Sequence, residues 1–284
     1  MFRKIFVVIV FIYLPAGATA ADDYTIDPET STAIPTFKAK VLLARGHVTR
    51  LRSGSSYEVN LKKGSKIQEG DTITTGRRSY VKLKMVDDSF VTLGPEGQVV
   101  ISKYQYKSKE KRTVVYELVK GMFRANVAKK VPKGHKVEVN SRYSSMGIRG
   151  TEVLANVKVN KMAKTITQFA LLSGKAKVLN KLNQKSIDLA PGKIVLIAGG
   201  ANHVDYEQVV VMSDAEFKRL NDPAFKEGNV FPALMKYMNP YPVTNSKSKG
   251  EKRGRTGVSR QEGGFEYDGW RKKLNELNQL LEDN

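Results

Sequence analysis

"SYVKLKMVDDSFVTLGPEGQVVI", residues 79–101, decides the fold. Val81, Leu83 and Met85 alternate with Lys82 and Lys84, the period-two pattern of a strand with one buried and one wet face. Asp87, Asp88 and Ser89 supply a turn, "FVTL" opens the next strand, and Gly94, Pro95, Glu96 and Gly97 turn the chain again before "VVIS". The same grammar recurs in "TVVYELVKGMFRANV", "HKVEVN", "TEVLANVKVN", "TITQFALLSGKAKVLN" and "SIDLAPGKIVLIAGG". Strands of five to eight residues with regular turns predict an all-β domain over 36–200, an antiparallel sandwich or a solenoid-like stack.

Outward from this core the grammar changes. Residues 1–20 have the anatomy of a cleavable signal peptide: Arg3 and Lys4, an apolar run from Ile5 to Leu14, then Ala18-Thr19-Ala20. The expectation is export to the periplasm. No later stretch is long and apolar enough to span a membrane, so no transmembrane span is expected in the mature chain. Residues 21–35 read as a polar, proline-punctuated linker. At the other end, "SDAE" is a capping box with Ser213 as N-cap and Glu216 at N3, followed by Phe217 and Leu220 on one face. Pro232 opens a second short helical pattern. Residues 201–244 are thus expected as a small helical extension packed on the β domain. Residues 245–264 form a basic linker by composition. In 265–284, Trp270, Leu274, Leu277 and Leu281 make one apolar stripe on a terminal helix, which docks on its own domain or on a partner.

The 284-residue chain has no cysteine and a net charge of +20. Disulfides and thiol chemistry are excluded, and export without disulfides favours a bacterial envelope protein. The charge implies attraction to polyanions such as lipopolysaccharide or a wall polymer. Lys247, Lys249, Lys252, Arg253, Arg255 and Arg260 in the linker are candidate contacts, with the clusters at 107–112 and 129–136 reading as solvated loops or part of the same surface. Export and the absence of a base-stacking signature argue against nucleic acid.

Chemistry-bearing constellations are sparse. His47, His135 and His203 lie too far apart for a metal spacing. Ser144 and Ser145 lack the glycine and following helix of a nucleophile elbow. "GIRGT", 147–151, lacks the lysine of a phosphate loop. Its glycines permit positive φ or close strand approach, and Arg149 between them has donors suited to backbone carbonyls or a carboxylate. Gly147, Arg149, Gly150 and Thr151 are therefore read as a fold-anchoring turn between two strands. No catalytic, cofactor or metal site is expected, and a wall hydrolase would need carboxylate or histidine pairs that are not seen.

The β segment resembles the FecR-like domain of bacterial iron-uptake regulators. The resemblance rests on Gly46-His47-Val48, the run Gly70-Asp71-Thr72-Ile73-Thr74-Thr75-Gly76, and an Asp-Gly-Ser turn present as Asp88 and Ser89 without the glycine. Further along it rests on Leu118 to Gly121, the G-x-R-G-T run at 147–151, "ALLSGKAKVLN" as a strand pair, and the turn from Leu189 to Gly192. It implies an all-β periplasmic domain without cofactor or catalytic residues that works through protein contacts. The best-known relatives engage a sigma factor through a cytoplasmic segment. With about four residues before its hydrophobic run, this chain is expected to be a free-standing exported member with envelope proteins as partners.

Overall fold

The structure, a computed structural model, describes residues 23–26, 31, 33–106, 112–128, 135–159, 164–200, 204–212 and 214–221. In chain order the strands are β1 (Tyr24–Ile26), β2 (Ala33–Pro35), β3 (Ala39–Arg45), β4 (Val48–Leu51), β5 (Glu58–Asn60), β6 (Lys66–Ile67), β7 (Thr72–Thr75), β8 (Tyr80–Met85) and β9 (Phe90–Leu93). They continue with β10 (Gln98–Tyr106), β11 (Arg112–Asn126), β12 (Lys136–Asn140), β13 (Ser144–Val159), β14 (Thr165–Asn180), β15 (Ser186–Leu189), β16 (Lys193–Gly199) and β17 (Val204–Val211). One helix, α1 (Asp214–Asn221), follows.

The alternation at 79–101 is realised. Val81, Leu83 and Met85 are buried while Lys82 and Lys84 face outward, because β8 pairs β3 on one side and β9 on the other over a single core. The strands are far from uniform in length, however. β11, β13 and β14 run for 15, 16 and 16 residues, about twice the expected length. Each belongs to two layers. The first half of β11 lies between β10 and β12, and its second half between β9 and β13. The first half of β13 pairs β12 and its second half pairs β11, while β14 flanks it throughout. β14 pairs β16 along its first half and β15 along its second.

Two layers result. One runs β5, β4, β7, β10, first half of β11, β12, first half of β13, second half of β14, β15. The other runs β6, β3, β8, β9, second half of β11, second half of β13, first half of β14, β16, β17. Their inner faces share one apolar core that includes Ile73, Leu83, Ile101, Phe123, Val153, Phe169, Val178 and Ile197. Across the bend of β11, the Tyr116 and Phe123 rings meet in that core at 5.3 Å between centroids. Truncating a fully buried ring such as Phe169 to alanine would cost about 3–5 kcal/mol. The all-β expectation is met by a large sheet whose described pairings are antiparallel except for the parallel β11–β12 pair.

Each shared strand carries a glycine where it changes layer: Gly121 at φ +89°, Gly150 at +59° and Gly174 at +83°. At Gly121 a Cβ would sit 2.4 Å from the Gly97 Cα, and at Gly174 it would sit 2.5 Å from the Thr151 Cγ2. Side chains are thus excluded at Gly121 and Gly174 by both conformation and space, and disfavoured at Gly150 by conformation. The turn expected at 147–151 is the interior of β13, with a bulge marked by register shifts around Glu152. The strand pair expected in "ALLSGKAKVLN" is likewise one continuous strand, β14, bent at Gly174.

Two boundaries also differ. Residues 21–35, expected as linker, hold the small antiparallel ladder of β1 and β2. The expected end of the β domain at 200 is passed by β17, which pairs along the length of β16. The helix at "SDAE" is present as α1, and its Phe217 and Leu220 cover Met122, Leu154, Ala170, Leu172 and Met212 on the outer face of the second layer. Among the described residues no helix is long and apolar enough to cross a membrane. The signal peptide, the second helical pattern at 232–239, the basic linker and the terminal helix lie outside the described residues.

Candidate functional site

The residues singled out in the sequence fall into polar clusters, and the structure shows what each cluster holds. Ser144 is buried in a hydroxyl chain: the Ser141 and Ser144 Oγ atoms are 2.7 Å apart, and the Thr167 hydroxyl donates to Ser141 Oγ at 2.9 Å. These groups tie the β12–β13 turn to β14. His47 is exposed, and its backbone N–H donates to the Ser79 hydroxyl at 2.9 Å. Among the described residues no three His, Cys, Asp or Glu side chains converge on a common point.

The Gly-Asp-x-Ile-x-Thr-Gly run is a pair of side-chain braces. The Asp71 carboxylate, fully buried, accepts the Gln68 N–H at 2.8 Å and lies 3.8 and 3.7 Å from the Nε atoms of Arg50 and Arg52. The Thr75 hydroxyl donates to the Gly94 carbonyl at 2.5 Å and accepts the Gly97 N–H at 2.9 Å, fixing the 94–97 turn against β7.

The turn at Asp87, Asp88 and Ser89 is built differently from its sequence reading. Asp88 takes φ +65°, the left-handed conformation that suits glycine, and it is the flanking Asp87 and Ser89 that are buried. Asp87 accepts the Ser89 N–H at 3.1 Å and the Ser89 hydroxyl at 2.9 Å. Its Oδ2 also lies 3.1 Å from Nη1 of Arg112. Arg112, only 1% exposed, donates further to the Ala128 carbonyl, and the Ala128 N–H donates to the Ser89 hydroxyl at 3.0 Å. The rings of Tyr104 and Tyr116 enclose this network, and burial pushes both phenol groups far above their ordinary ionisation range. Arg112 had read as the end of a solvated basic run. It is a core residue, and no local signal distinguishes it, because its partner lies 25 positions earlier. A second buried pair, Arg124 with Glu152, joins β11 to β13 on the outer face of the second layer.

The anchoring expected at 147–151 is divided among these residues. Gly150 and Thr151 form the corner, with Thr151 buried against Gly174 and its carbonyl accepting the Val127 N–H at 2.9 Å. Gly147 sits in regular pairing opposite Glu138 and Lys177. Arg149 is exposed on the outer face of the first layer, and among the described residues it has neither a carboxylate nor a carbonyl partner. The tether inside the domain is supplied by Arg112 and Arg124, not Arg149. The reason is the strand period: Ile148 points into the core, so its neighbour must point out. Trp270, Leu274, Leu277 and Leu281, and the six basic linker residues from Lys247 to Arg260, lie outside the described residues.

The architecture defines a two-layered β domain whose buried polar groups brace its own turns and corners. Residues 71–177 match the model of the family described as FecR protein. The match contains all three corner glycines. Two crystal structures of a proposed anti-sigma factor from Parabacteroides distasonis, at 1.65 and 2.50 Å resolution, are similar to 52% of this chain at 12% and 13% identity, each with a TM-score of 0.41. This chain spans 63% of their length. No curated protein matches the sequence.

Proposed function

We propose that the chain is a non-catalytic protein of the bacterial envelope that is exported to the periplasm and acts through protein contacts. The observation that carries this reading is the FecR match at 71–177, the segment from β7 to β14 that frames both layers. The polar clusters described above support it, since each is engaged in bracing the fold. Contact surface is available at the sheet edges. Among the described residues β5 and β17 are terminal strands of their layers, with Tyr57 80% exposed beside β5 and Val211 70% exposed on β17. Terminal strands offer backbone groups to an added strand, and exposed alternate side chains select it. The apolar stripe from Trp270 to Leu281 is a second contact element.

The experiment compares crosslinked partners of the full chain with those of a chain lacking 265–284 and of a Trp270→Ala/Leu274→Ala variant, each expressed in its native envelope. One defined partner, reduced in both variants, is the expected result, together with recovery of the protein in the periplasmic fraction. Recovery in the cytoplasm, or no partner above the level of an unrelated exported control, would refute the reading.

A further inference from the structure

The outer face of the first layer holds a row of cations that the strand register forces together. Arg149 on β13 stands directly opposite Lys175 on β14. One step beyond the Val137–Ile148 pair, the register brings Lys136 of β12 level with Arg149. All three are exposed, since their neighbours Val137, Ile148 and Ala176 point into the core. Lys177, two residues along β14, extends the row diagonally. The nearby carboxylates answer only part of this charge: Glu138 pairs with Lys136 at 3.1 Å, and Asp188 with Lys177 at 3.6 Å. Arg149 and Lys175 have no carboxylate partner among the described residues.

Like charges directly opposite on adjacent strands are unfavourable for the sheet itself. This pair therefore adds nothing to the fold, and Arg149 occupies the place where a structural tether was expected. Two further stretches of the sequence are also basic. Residues 107–111 and 129–134, bracketed by Tyr106, Arg112, Ala128 and His135, contain six lysines and one glutamate.

We infer that Lys136, Arg149 and Lys175 form a binding site for a linear polyanion of phosphate groups. Adjacent strands lie about 4.8 Å apart, so three cations on neighbouring strands make a ladder about 10 Å long, a template for repeated anions. The guanidinium of Arg149 at its centre presents a fork matched to phosphate oxygens. The site is independent of the proposed protein contacts, and it differs from the basic linker in being fixed on a rigid sheet.

The test measures binding of the full chain to long-chain polyphosphate and to vesicles of phosphatidylglycerol, across a salt series. The R149A/K175A variant, and the better-matched R149Q/K175Q, are compared with K62A/K63A, which removes the same charge from the exposed turn after β5. Expected are a five- to twentyfold loss of affinity in both row variants, a change under twofold in the control, and unaltered or slightly raised thermal stability. With three phosphates contacted, the slope of log K against log salt should be about −2. Binding to polyphosphate alone assigns a free polymer, and binding to vesicles alone assigns a lipid headgroup; either supports the site. Equal losses in the row and control variants would reduce the effect to net charge. Loss on neutralising only the six linker cations would move the site off the sheet. Failure to bind either probe, or a fall in stability in both row variants, would restore Arg149 to a structural role. Each of these outcomes overturns the proposal.

Discussion

Arg112 and Asp87 meet inside the core, Nη1 to Oδ2 at 3.1 Å, and together they close the β8–β9 turn over the start of β11. Removing either group takes away the opposite charge that the other faces in the core. Arg112→Ala or Asp87→Ala should each destabilise the domain by about 3–5 kcal/mol. The double variant should lose less than the sum of the two. Urea titrations of the three variants read this directly, and additive losses would show that the pair is not coupled.

Tyr104 and Tyr116 give the same region a signature in alkali. Burial raises both phenols well above the ordinary value of 10.0. The folded chain holds these protons above pH 10 while the unfolded chain releases them. Their contribution to stability is complete below pH 10 and lost as pH rises beyond it. Ultraviolet titration should show tyrosinate appearing in two stages, with these two rings ionising only as the protein unfolds. Y104F/Y116F should blunt the alkaline loss. Smooth ionisation of every tyrosine in the folded state would contradict the burial.

The corners allow a comparison of glycines with similar backbone angles. Gly121 and Gly64 lie at φ +89° and +87°, but a Cβ at Gly121 would strike Gly97, whereas nothing lies within 4 Å at Gly64. Gly64→Ala should therefore cost about 1 kcal/mol for its conformation alone. Gly121→Ala should cost at least about 2 kcal/mol more, since the backbone of β11 and the 94–97 turn must part. Thermal melts of the two variants, with Gly174→Ala behaving like Gly121→Ala, check the argument.

Asp88 occupies a left-handed position, and its pair with Lys84, at 3.6 Å, is exposed. Such a pair is worth little in water. Asp88→Gly should raise stability by up to about 1 kcal/mol. A loss would mean that the Asp88 side chain supports the turn in some stronger way.

The alternation of Val81, Leu83 and Met85 made the buried face of β8 legible, and the apolar spacing of Phe217 and Leu220 did the same for α1. Gly150 and Gly174 look locally like turns between strands and are instead bends within β13 and β14. A glycine within a period-two pattern is compatible with a reversal or with a bent strand, and only the pairing partners decide which. β17 was missed because Gly199 and Gly200 look like an ending and the capping box behind them draws the boundary early. The roles of Arg112 and Arg149 were exchanged for one reason: what an arginine does depends on the face it occupies. Arg112 begins a strand whose facing carboxylate is remote in sequence, and Arg149 follows a core isoleucine. Neither fact is local.

The three strands common to both layers carry a mechanical consequence. A sandwich joined only by surface loops can be prised apart as two leaves held by side chains. Here three covalent backbones run through the join at Gly121, Gly150 and Gly174, so along this join the leaves cannot part without bending or breaking these strands. A load applied at β17 passes through the pairing of β16 into β14, crosses to the opposite leaf along the unbroken chain of β14, and reaches β15 through its pairing there. A displacement of one leaf is therefore carried into the other through the chain itself and not through side-chain contacts alone.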